Sequence, residues 1–285
     1  MHRNKASLIA LAVIVLLTAV LAGVIALRAD SKKQDAEPIR EAVQTEEPAV
    51  IQPTPSPEPT PEPEPAFAAG IYKGSYEQMT ELYGMQYLDY NVVVPKNATE
   101  GMPLLIYLPG DNSNDRVDTI PTWELPLRVK EYYGDEFPFI MLLPCTRWFE
   151  WHDGWIAEVL KGMMDKVAEE YAIDPERVML TGYSRGAVAA WQYVEDFGDY
   201  FCCTVPVSCG AKIHDFEPFR DVPVWAMYGE GEYDSATYGP DIRYNVNMIN
   251  ENGGDARFTT VPNADHSDMG YAAYTKDVIE WMLEQ

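Results

Sequence analysis

Histidine and cysteine are scarce in this chain, with four of each among 285 residues. No two cysteines form a CxxC pair, so the ligand spacing of a structural zinc site is missing and no metal centre is expected. Cys145, Cys202, Cys203 and Cys209 are even in number, which permits disulfides in an exported protein. Cys202 and Cys203 are adjacent and do not suit each other. A Cys203–Cys209 bridge or one from Cys145 to that region stands open against the reading of small buried thiols. Positive charge is also short: 21 Lys and Arg against 45 Asp and Glu give a net charge of −24. From Ile71 onward the balance is 15 against 36, or −21, so the acidity belongs to the body of the chain. Such a surface is well solvated and repels phosphate backbones, which argues against nucleic acid as a partner.

Charge is absent altogether from residues 8–27, a run rich in Leu, Ala, Val and Ile. Roughly 20 residues of helix span a bilayer core of about 30 Å, whereas the apolar region of a secretory signal peptide is about 7–15 residues. Residues 1–27 are therefore expected to hold an uncleaved transmembrane anchor, with a cleaved signal sequence as the alternative. Arg3 and Lys5 precede the run and Arg28, Lys32 and Lys33 follow it, so flanking charge does not fix its orientation. Residues 28–69 are polar, and proline occupies every second position from Pro53 to Pro65. Such a segment cannot form a helix and has little to bury. It is expected to be a disordered, extended spacer that holds a domain of residues 70–285 outside the membrane, or in the medium if the leader is cleaved.

In that domain, short apolar runs alternate with helical periodicity. Residues 87–94, 103–108, 137–143, 178–181, 204–207, 222–227 and 258–261 read as strands. Residues 123–133, 155–171, 185–197, 241–252 and 271–283 read as helices. Continuous apolar strands with helical crossovers imply a mainly parallel, doubly wound α/β sheet covered on both faces, with no large cap domain. In such sheets the ligand site lies at the carboxyl ends of the strands.

The chemistry centres on Gly182-Tyr183-Ser184-Arg185-Gly186. A serine hydroxyl needs a neighbouring base and a site for the developing oxyanion. The G-x-S-x-G pattern supplies a sharp strand-to-helix turn that lifts Ser184 above the sheet. Its context fits, with an apolar strand before it and Ala187-Val188-Ala189-Ala190-Trp191 after it. In this arrangement the chain order is serine, acid, histidine. Only His214 and His266 follow Ser184; His266 lies just past a strand and is the expected base. The acid should follow strand 222–227, in Tyr228-Gly229-Glu230-Gly231-Glu232-Tyr233-Asp234. Glu232 and Asp234 both remain open, with Glu230 and Asp241 more remote. The oxyanion donors are expected to be the backbone N–H groups of Arg185 and of Asp111, with Gly110 as the fallback. The aromatic stretch Arg147-Trp148-Phe149-Glu150-Trp151-His152-Asp153-Gly154-Trp155 follows a strand and should border the site. Trp148, Trp151 and Tyr183 are the candidate substrate contacts, since exposed aromatic faces suit sugar rings and aromatic acyl groups. The opposing reading is that the tryptophans only pack their loop against the body.

These residues resemble the phospholipase/carboxylesterase and polyhydroxybutyrate-depolymerase-like esterases of the α/β-hydrolase superfamily. The resemblance covers roughly residues 85–285. It rests on Leu104-Ile106-Leu108-Gly110, on Ile173-Asp174-Pro175-Glu176-Arg177-Val178 leading into the serine motif, and on the His266 loop. The pattern differs at Pro109-Gly110, where His-Gly is usual, and at Glu232, where Asp is usual. The resemblance implies a cofactor-independent serine esterase that cleaves small or polysaccharide-linked carboxylic esters through an acyl-enzyme. A serine peptidase of the same fold and a non-catalytic glycan-binding module are the alternatives; the oligomeric state is not legible.

Overall fold

Leu104–Leu108, Ile140–Cys145 and Val178–Tyr183 are apolar along their whole length, and each lies at the centre of one mainly parallel sheet. The computed structural model describes residues 65–110, 117–146, 151, 153–232 and 238–285. The expected anchor and nearly all of the spacer lie outside the described residues. Among the described residues, no helix is long and apolar enough to cross a membrane.

The strands are β1 (Gly70–Thr80), β2 (Gly84–Val94), β3 (Leu104–Leu108), β4 (Ile140–Cys145), β5 (Val178–Tyr183), β6 (Cys203–Val207), β7 (Val224–Gly229) and β8 (Ala256–Val261). The helices are α1 (Glu124–Tyr133), α2 (Gly154–Glu170), α3 (Arg185–Phe197), α4 (Tyr238–Glu251), α5 (His266–Ala272) and α6 (Lys276–Leu283). The sheet order is β1-β2-β4-β3-β5-β6-β7-β8. β1 and β2 form an antiparallel hairpin, β2 runs antiparallel to β4, and every pairing from β4 through β8 is parallel.

Alternation along each strand divides the core in two. Leu104, Ile106 and Leu108 of β3 point into a cluster with Ile156, Val159 and Met163 of α2, Ala190, Trp191 and Val194 of α3, and Ile242 of α4. Leu105 and Tyr107 point the other way, onto Leu125 and Val129 of α1, Met269 of α5 and Val278 and Met282 of α6. Both faces are thus covered, which is what lets the central strands carry no polar alternation.

Strand β1 has no counterpart among the expected elements. Its sequence is mixed and half polar, and Ile71, Tyr72 and Met79 stay exposed. Pairing with β2 over the full register from Gly70↔Val94 to Thr80↔Gly84, not burial, makes it a strand. The expected closing helix is two helices. Thr275 caps α6 by accepting the Val278 N–H, and α5 begins earlier, at His266 itself. No disulfide joins the cysteines; Cys145, Cys203 and Cys209 are buried.

Candidate active site

The turn at Ser184 follows from two glycines. A β-carbon on Gly182 would overlap the Gly186 carbonyl, and one on Gly186 would overlap the Leu108 carbonyl. Only hydrogen at these positions lets β5, α3 and β3 approach so closely. The backbone pays locally: Ser184 sits at φ 56°, ψ −117°, as the residue preceding α3. That is a sparsely populated region for a residue with a β-carbon, of the kind found at functional turns.

His266 is positioned by the loop after the edge strand β8, at the same carboxyl end of the sheet as Ser184. The Asp265 side chain accepts the Asp268 N–H and the Asp268 side chain accepts the Asp265 N–H, each at 3.0 Å, forming a capping box. This box fixes the first turn of α5, and His266 is its first residue. The Tyr183 hydroxyl donates to the His266 carbonyl at 2.5 Å, and its ring lies 5.3 Å from the imidazole at 31°. Burial, first of all, pushes the Tyr183 phenol well above its ordinary value, with Glu124 and Glu232 adding to the shift, so it stays a neutral donor.

The serine turn and the His266 loop meet in a continuous chain. Ser184 Oγ lies 2.9 Å from His266 Nε2, and His266 Nδ1 lies 2.8 Å from Glu232 Oε1. Glu232 Oε2 accepts the Gly229 N–H at 2.8 Å, so both carboxylate oxygens are used. Glu232 is 5% exposed. A buried carboxylate persists only when its lone pairs are satisfied, and here a ring N–H and a backbone N–H do so. That network assigns Nδ1–H toward Glu232 and leaves Nε2 as acceptor for the serine hydroxyl.

The other expected residues fall as follows. Asp234, Asp111 and Trp148 lie outside the described residues. His214 stays at the surface with its ring 3.6 Å from Glu195. Glu230 accepts the Asn263 N–H, and Asp241 sits in the first turn of α4. Gly110 is brought to the serine: a β-carbon there would lie 3.2 Å from Ser184 Cβ. Arg185 opens α3, where N–H groups point out of the helix end. Trp151 departs from the expected role of substrate contact. It is 3% exposed, and its indole N–H donates to the Pro109 carbonyl at 3.0 Å. Its own carbonyl accepts the Tyr193 hydroxyl. It therefore holds the turn after β3 against the serine and offers no open face. Tyr183 is likewise buried, and its bond to the His266 loop was not foreseen.

One residue near the base had no assigned role. Glu124, the first residue of α1, is partly buried, and burial lifts its carboxyl group from 4.5 to about 7, partly offset by the nearby His266.

No family model matches the chain. A bifunctional acetylxylan esterase/xylanase of Neocallimastix patriciarum is 23% identical over 152 residues, half of this chain and 21% of that protein. Among solved structures, a thermostable esterase superposes with a TM-score of 0.57 at 21% identity, over 75% of this chain and 63% of that one. The feruloyl esterase module of Clostridium thermocellum, complexed with sinapinate, gives 0.55 at 16% identity over 80% and 92% of the two chains. An S-formylglutathione hydrolase of Staphylococcus aureus gives 0.55 at 14% identity over 75% and 100%. The chain thus spans less than two thirds of the first two of these relatives. In sheet order, crossovers and strand-to-helix serine turn, this chain has the α/β-hydrolase fold.

Proposed function

We propose that this protein is a serine carboxylic-ester hydrolase, tethered to the outer face of a cell membrane through residues 8–27 and acting through an acyl-enzyme. The observation that carries the reading is the relay from Ser184 through His266 to buried Glu232, at 2.9 and 2.8 Å.

In the first half-reaction Ser184 Oγ attacks the ester carbonyl carbon as its proton passes to His266 Nε2. Glu232 keeps the ring in the required tautomer and favours the imidazolium that forms. The tetrahedral oxyanion lies at the N-terminal end of α3, beside the Arg185 N–H and Gly110. Collapse breaks the bond to the alcohol oxygen, which leaves with the proton from Nε2. Water then adds to the acyl-enzyme with the same base, and the acid departs. No step needs a cofactor.

The acid-rich surface suits an uncharged polymer better than a polyanion. The relatives named for acetylxylan and feruloyl esters point to acylated plant polysaccharide as the substrate class, with small esters also cleaved. The proline-rich spacer then serves to carry the domain out to such a polymer. Ser184→Ala in the full-length chain is expected to abolish p-nitrophenyl acetate hydrolysis and labelling by a fluorophosphonate probe. Retention of both would overturn the reading, and a wild type that binds glycan but shows neither hydrolysis nor labelling would favour a binding module.

A further inference from the structure

Glu124 takes a left-handed φ of 43° as the first residue of α1, a conformation that an L side chain adopts only where its surroundings hold it. Its side chain packs against α5. Gly270 lies one helical turn after His266 and so on the same face. A β-carbon at Gly270 would come within 3.1 Å of Glu124 Oε1, so the carboxyl group lies directly against the backbone of the helix that carries the base. The absence of a side chain at Gly270 makes room for it. Among the described residues, no hydrogen bond or ion pair occupies this carboxyl group. The two side-chain bonds of the His266 ring run to Ser184 and Glu232, and among the described residues Glu124 is a further acid within electrostatic reach of the ring.

We infer that Glu124 is a positioning residue of the relay: a second carboxylate that, once ionised, favours the imidazolium form of His266 across the gap left by Gly270. The inference rests on the esterase reading for its role in turnover, because the imidazolium exists while the Ser184 proton is in transit. Burial sets the ionisation of Glu124 close to neutrality, and the positive ring draws it downward. The other groups facing this corner are Tyr183 from β5 and Tyr274 from the segment after α5, both pushed up by burial and therefore neutral. Glu232, Asp265 and the Cys209 thiol also face Tyr183. Asp265 and Asp268 are exposed and bound to each other's backbone, so water screens them from the ring. Glu124 is left as the partly buried acid whose charge changes near the pH of turnover.

The test uses the full-length chain, wild type and Glu124→Gln, with two readouts. For kcat/KM toward p-nitrophenyl acetate, the deficit of the variant should be smallest near about pH 5.5 and reach about three- to tenfold above about pH 8, with Glu124→Asp recovering part of the alkaline rise. A deficit that is the same at every pH, or superimposable profiles, overturns the inference. Independently of ester turnover, the rate at which a fluorophosphonate probe labels Ser184 should fall in Glu124→Gln with the same alkaline-weighted deficit. A labelling rate equal to wild type at every pH overturns the coupling itself, whereas an alkaline-weighted labelling deficit in a chain that hydrolyses no ester sinks the esterase reading and leaves the coupling standing.

Discussion

Replacing Glu124 by glutamine should make the folded protein more stable at alkaline pH. In the fold this acid ionises at about 7 instead of 4.5, because burial disfavours its charged form. The folded state therefore prefers the protonated acid. The stability that this preference contributes is complete below the unfolded value and is lost as pH rises through the folded one. An acid moved this far loses about 3 kcal/mol between those limits, and the partial exposure of Glu124 brings the expected loss to about 2 kcal/mol. Glutamine is nearly isosteric with the protonated form and does not titrate. Urea unfolding, followed by tryptophan fluorescence at intervals from about pH 4.5 to about pH 8.5, should then show the two proteins equal at the acid end. The variant should gain about 2 kcal/mol at the alkaline end. Pairing the measurements at each pH cancels the titration of the other carboxylates. A difference that does not change with pH, or one that favours wild type at about pH 8, would refute the reasoning. If the variant is both more stable and slower at high pH, the desolvation of the Glu124 charge is a cost carried for the relay, as expected of a stability–activity trade-off.

Glu232→Gln should lower kcat by about 10³- to 10⁴-fold, because an amide in that position no longer stabilises the imidazolium and no longer selects the Nδ1–H tautomer; Asp234→Asn should leave kcat within about twofold, and the reverse ranking in steady-state assays would move the triad acid to Asp234. Gly186→Ala should destabilise the fold by about 3 kcal/mol or more, because its β-carbon lands on the Leu108 carbonyl and backbone cannot rotate away as a side chain can. Thermal unfolding within about 2 °C of wild type would show that the β3–α3 contact has room for a β-carbon at Gly186.

What the sequence discloses and what it hides divide along a physical line. β3, β4 and β5 were legible because both of their faces are buried, which forces an unbroken apolar run. α2 and α3 were legible because each presents one apolar stripe to a sheet. β1 was hidden because it is an edge strand whose membership comes from ladder hydrogen bonds, and those place no demand on side chains. The early start of α5 at His266 was hidden in an Asp-x-x-Asp capping box, which differs from the Ser/Thr-x-x-Glu pattern by which such boxes are read. In the acid loop, spacing left Glu232 and Asp234 both open, and the structure places Glu232 in a buried pocket with both oxygens bonded. Trp151 shows the limit of reading an aromatic cluster as a binding face. Whether an indole meets solvent depends on the turn it crosses, and here it crosses Pro109.

Glu124 marks where sequence reasoning ends. Nothing in Trp123-Glu124-Leu125-Pro126 distinguishes it from an ordinary acid in the first turn of a helix, where negative charge is favoured. Its significance comes from Gly270, on another helix, and from the proximity of both to His266. The same is true of the strain at the site. Ser184 and Glu124 both hold positive φ, and both stand beside a glycine where a β-carbon would be crowded. Two apolar layers packed on either face of the sheet supply the rigidity that keeps such conformations in place. The serine turn announces itself through its flanking glycines because strand, turn and helix are consecutive in the chain. The acid against Gly270 does not, because its partners are consecutive only in space.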